Sequence, residues 1–132
     1  AADCENAKLI LDTWQLGKSK PADRASVLEG IPADKIVSIQ INDVWERPYA
    51  TTILRDESMH DRLAPGTGIG TTVPFVKMIK EKGIRPNAIG VEVISDANLE
   101  KGIEYAAKHT YENTKEGTGR GLAGSTVINI RN

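Results

Sequence analysis

The sequence predicts an α/β fold with parallel strands, on three observations. Three short apolar runs rich in β-branched residues stand out: Lys8 to Asp12, Lys35 to Asn42 and Ala88 to Ser95. Each ends in polar residues. Each is followed by helical spacing or helix-start residues, the alternation expected of βα units in a parallel sheet, so the coarse order is βαβαβα. A length of 132 residues with 39% hydrophobic and 27% charged side chains predicts a single soluble globular domain.

The elements follow in order. After the first run, Pro21 to Glu29 opens with a proline suited to a first helical turn and stops at Gly30, predicting one short helix. After the second run, Val73 to Gly83 predicts a second helix, with Phe75, Val76 and Ile79 on one face and Gly83 as its stop. After the third, Asp96 is a cap for a helix over Leu99 to Lys115, whose apolar stripe is Leu99, Ile103, Ala106 and Ala107. Between the second strand and its helix, Asp43 to Thr72 is far longer than the usual connection of about two to six residues, and long loops of this kind carry function. It gathers Arg47, Pro48, Arg55, His60, Arg62 and the Gly-rich Pro65 to Gly70. The tail Gly117 to Asn132 is Gly-rich and reads as a linker or as an added strand over Thr126 to Ile130.

Charge narrows the function classes. Seventeen basic and eighteen acidic residues give a net charge of -1 with no basic block, which speaks against a nucleic-acid or anionic-membrane partner. The single cysteine, Cys4, excludes an internal disulfide and a Cys-rich zinc site, and a reducing cytoplasm is the expected home. No apolar run approaches the roughly 20 residues of a membrane span, and the N-terminal stretch does not read as a signal peptide.

In parallel α/β sheets, ligands bind where strand carboxyl ends converge. Asp12 ends the first strand, Gln40 sits near the end of the second, and Glu92 lies in the last half of the third. Buried carboxylates demand a cation or strong hydrogen-bond partners. One reading is a shared hard divalent ion on three oxygen donors. The other is that Asp12 caps a loop, Gln40 bonds backbone and Glu92 pairs with an arginine.

Four ordered strings carry a resemblance: Leu11-Asp12-Thr13-Trp14-Gln15, Val37 to Asp43, Arg62-Leu63-Ala64-Pro65-Gly66-Thr67-Gly68, and Val91 to Ser95. Over about Leu9 to Lys115 the chain resembles the sugar phosphate isomerase/epimerase family, the xylose isomerase-like TIM barrels. The resemblance implies that residues 1–116 are the last three βα units of a (β/α)8 barrel, with 117–132 a tail of unassigned role. It implies a metal set of Asp12, Gln40 and Glu92 for manganese, with magnesium, cobalt or zinc as alternatives. It also implies a catalytic Glu92 that moves a proton at the carbon beside a sugar carbonyl, through an enediolate. Arg62, Gln15, Trp14 and His60 are then substrate-binding candidates, and Pro65, Gly66 and Gly68 shape the loop.

Departures from the family pattern are as informative. Relatives often carry His where Gln15 stands, and Gln can hydrogen-bond but not shuttle a proton; His60 is the nearby proton carrier. Thr67 replaces a Glu common in the Pro-Gly motif. The family barrel has eight strands in about 250 residues, so five units and a further Glu ligand are absent here. The expected partners are therefore a small sugar or sugar derivative, together with barrel strands from another chain or another copy of this one. A lyase or dehydratase on a keto sugar is the close alternative. A barrel fragment without turnover is another, while the abasic-site phosphodiesterases of the same superfamily need more than two histidines and a cationic face.

Overall fold

The computed structural model describes residues 4–46, 53–69, 72–118 and 126–128, with side chains through Asn113. Strand β2, Ile36–Ile41, lies inside the sheet, and four of its six residues are Ile or Val, whose branched side chains suit a pleated surface. Around it lie β1 (Leu9–Asp12), β3 (Ala88–Val91) and β4 (Thr126–Ile128), in the order β1-β2-β3-β4, and each pairing is parallel. The α/β class with parallel strands is as expected, and sheet order follows chain order without reversal. The added-strand reading of the tail holds at Thr126–Ile128; its extension to Ile130 lies outside the described residues, as do Arg47, Pro48 and Gly70.

Register assigns the two faces. Leu11, Ile39 and Ile89 are paired across the first three strands, and Ile41 pairs with Val91 one pleat further on. These residues join Leu16, Leu28, Phe75, Ile79 and Ile84 in one apolar cluster. Burying each large aliphatic side chain there contributes about 1.5–3 kcal/mol. Asp12, Gln40 and Gly90 are paired on the opposite face.

Helix α3 (Thr72–Glu81) forms where expected, with Phe75 and Ile79 buried and Gly83 at φ 71° just beyond it. Two other expectations need correction. Residues 21–30 form no α-helix but a succession of tight turns, in which Ser26 N–H donates to Asp23 O and Glu29 N–H to Ser26 O. A single helix of nine residues is marginal alone. Here the Ser26 hydroxyl bonds Asp23 O, and Arg24 donates to Gly17 O (2.7 Å) and Ser19 O (3.3 Å), fixing the turns against the preceding segment. That segment is α1, Thr13–Lys18, capped by Asp12.

The helix expected over Leu99 to Lys115 is broken in two. A single turn, α4 (Asp96–Leu99), is separated from α5 (Ile103–Thr118) by Gly102 at φ 98°, a backbone conformation that favours glycine. Of the expected stripe, Ala106 is buried, Ala107 half-buried, Leu99 exposed, and Ile103 59% exposed. The long loop holds its own helix, α2 (Leu54–His60), and two antiparallel bridges, Asp43 with Leu63 and Asp61 with Ser95.

Candidate metal and substrate site

Asp12 is the last residue of β1 and the N-cap of α1, so the chain turns from strand to helix at its carboxylate. Its Oδ1 accepts from Trp14 N–H (2.9 Å) and from Asn42 Nδ2 (2.8 Å). Its Oδ2 accepts from Arg62 Nη1 at 2.9 Å. Gln40, in register with Asp12, is half-buried on the same face. Glu92 does not lie within the third strand as the sequence suggests, because β3 ends at Val91. Its N–H still donates to Ile41 O at 3.1 Å, so the pleat continues and carries its side chain to the face of Asp12 and Gln40.

Arg62 joins the two carboxylates. Nη1 lies 2.9 Å from Asp12 Oδ2 and 3.6 Å from Glu92 Oε2, and the three side chains are almost entirely buried. Nε donates to Ser58 O (2.7 Å) and Nη2 to Ser58 Oγ (2.8 Å), so α2 orients the guanidinium. The Arg62 N–H donates to Ile94 O, and the flanking bridges Asp61–Ser95 and Asp43–Leu63 fix its backbone across the strand ends. Of the alternative reading of the three donors, the cap at Asp12 and the arginine beside Glu92 are both present.

The other candidates scatter. Trp14 is buried at 2% exposure, with Lys18 Nζ 5.7 Å and Arg62 Cζ 5.6 Å from its ring; its indole N–H is buried without a hydrogen-bond partner among the described residues. Gln15 is exposed on α1. His60 is exposed at the end of α2, where Nδ1 sits 3.1 Å from Asp96 Oδ2. Pro65 is buried, Gly66 adopts φ 81°, and a Cβ on Gly68 would meet Val44 O at 2.1 Å, so the Pro-Gly loop packs against the end of β2.

Sequence reasoning missed the residues that hold this arrangement together. Asp43 Oδ2 accepts from Gly66 N–H (3.1 Å) and Gly68 N–H (3.2 Å), so a buried carboxylate shapes the loop. Asn42 N–H donates to Thr13 Oγ1 (2.8 Å), while the hydroxyls of Thr13 and Thr72 each lie 2.6 Å from Asn42 O. The buried Lys18 and Glu57 pair at 2.5 Å, docking α2 on α1. The available signal was the Asn42-Asp43 pair directly after an apolar strand. A cleft of about 720 Å³ opens beside α1 and includes Lys18, Lys20, Arg24, Trp45 and Glu46 in its lining, but none of Asp12, Gln40 or Glu92.

The donor chemistry of Asp12, Gln40 and Glu92 fits a hard divalent cation: all three offer oxygen from one face at neighbouring strand ends. Among the described residues no group of three or more His, Cys, Asp or Glu is placed to hold a metal, so the Gln40 amide oxygen is needed as the third donor. No protein-family model and no curated protein matches the sequence.

Proposed function

We propose that the chain is the C-terminal part of a divalent-metal-dependent sugar isomerase or epimerase of the TIM-barrel type, working in the cytoplasm. The observation that carries this reading is the register that sets Asp12 beside Gln40, with Glu92 two residues beyond Gly90 on the same face. A sheet whose order follows its chain order is also what consecutive βα units of a barrel require.

In this reading Asp12, Gln40 and Glu92 hold manganese, or else magnesium, cobalt or zinc. When bound there, such an ion would supply Lewis-acid polarisation of the sugar carbonyl and hydroxyl oxygens. Glu92 would take a proton from the carbon beside the carbonyl and return it on the same face to the neighbouring carbon, while the hydroxyl proton passes to the former carbonyl oxygen (isomerisation); epimerisation would draw its proton from a second acid on the opposite face, supplied by further barrel strands. Arg62 is the substrate contact in this reading, turning to the substrate oxygens once the ion takes Asp12 and Glu92, and the buried Trp14 ring lies 5.6 Å from its guanidinium. Elimination from the same enediolate would make the enzyme a lyase.

The test is proton exchange. The full chain is incubated with Mn2+ and a panel of keto and aldo sugars in D2O, alone and with candidate partner chains. Deuterium should enter beside the carbonyl, and Glu92→Gln should slow that exchange by about 10²–10⁴-fold. A mass changed only by the incorporated deuterium marks isomerisation, and loss of water marks a lyase. Exchange unaffected by Glu92→Gln would refute the assignment.

A second reading, a subunit or fragment that needs more strands before it turns over, is favoured by the exposed apolar residues of β1, Leu9 and Ile10. Native mass spectrometry separates the two by showing which polypeptides accompany the chain when it is active.

A further inference from the structure

Resting on the metal reading above, one feature of the site points past it. The position between the Asp12 and Glu92 carboxylates is taken by a cation that the chain supplies itself. Arg62 Nη1 lies within 2.9 Å of one and 3.6 Å of the other, at 7% side-chain exposure. A guanidinium cannot be neutralised by losing a proton in a protein, so its charge leaves only if the side chain moves.

We infer that Arg62 is a built-in counter-ion, which competes with a divalent cation for Asp12 and Glu92 and must swing away to admit it. Two features make the exchange local. The Arg62 backbone is pinned by its N–H bond to Ile94 O and by the flanking bridges, so the strand ends stay in place. The side chain is held instead through Ser58, whose carbonyl and hydroxyl accept from Nε and Nη2, and by packing near the Trp14 ring. Ser58 is thus a positioning residue: loosening its grip lowers the cost of releasing the guanidinium while leaving every oxygen donor intact. Asp12 keeps its remaining acceptor bonds, to Trp14 N–H and Asn42 Nδ2, in either state.

The experiment is calorimetric titration of the full chain with Mn2+ alone, comparing wild type, Arg62→Gln, Ser58→Ala and the double variant Asp12→Asn/Arg62→Gln. Circular dichroism checks that each is folded. Removing a unit charge in contact with both carboxylates should tighten Mn2+ binding by about tenfold or more in Arg62→Gln. Ser58→Ala should fall between it and wild type, and the double variant should lose the gain. Equal affinity in wild type and Arg62→Gln overturns the counter-ion role while leaving the metal site standing. Absence of Mn2+ binding in every variant overturns both. Should Arg62→Gln fail to fold, Ser58→Ala decides: affinity unchanged from wild type overturns the inference, and tighter binding supports it.

Discussion

Thr13 and Asn42 show how much depends on single atoms at the strand ends. Both are wholly buried, and the Thr13 hydroxyl accepts the Asn42 N–H at 2.8 Å while lying 2.6 Å from the Asn42 carbonyl. Asn42 in turn steers Asp12 through its side-chain amide. Thr13→Val keeps the shape but strands a buried N–H, so the loss should be about 1–3 kcal/mol, read as a lower urea midpoint. A change within 0.5 kcal/mol would mean that Asn42 does not depend on this hydroxyl. The candidate donors Asp12, Gln40 and Glu92 were legible because a polar residue at the end of an apolar strand is conspicuous. Their neighbour Arg62 was singled out in the sequence only through a resemblance, and its place beside Asp12 and Glu92 was not foreseen. Its bond to Asp12 spans fifty residues of sequence, and no local pattern encodes a pairing of that range.

Elements were legible where burial and local preference agree. Strand β2 and helix α3 carry their apolar residues at the period of the structure they form, and Ile39, Ile41, Phe75 and Ile79 all reach the core. The failures are segments whose form is set by distant contacts. Leu28 is buried without a helix around it, since one apolar anchor and the Arg24 bonds suffice to hold a run of turns. The stripe expected after Asp96 failed because Gly102 resets the helix, turning Ile103 outward. This difference is measurable. Ile79→Ala removes buried methylenes from the main cluster and should cost about 2–5 kcal/mol, whereas Ile103→Ala should stay within about 0.5 kcal/mol. Chemical denaturation of the two variants side by side checks both; a large loss at Ile103 would restore the continuous buried stripe.

At the scale of the whole molecule, the start of edge strand β1 is the bare part of the sheet among the described residues. The apolar cluster lies on the side of Ile39, Ile41 and Val91, while the face bearing Asp12 and Gln40 also carries Ile10, which is 60% exposed on the edge strand β1. Leu9 beside it is exposed as well. An edge strand with open backbone groups and bare aliphatic side chains is a template for pairing, and proteins commonly blunt such edges with charge. None of the described helices is long and apolar enough to cross a membrane. Pairing with further strands, from a partner or from another copy, is the physical answer to this edge. The isolated chain should therefore self-associate as its concentration rises, and Ile10→Lys, which places a charge on the strand without touching the core cluster, should shift it toward monomer. Sedimentation velocity across a concentration series measures both species. Identical, concentration-independent monomer behaviour in the wild type and the variant would show that the edge is already protected, and would remove the main structural reason to seek additional strands.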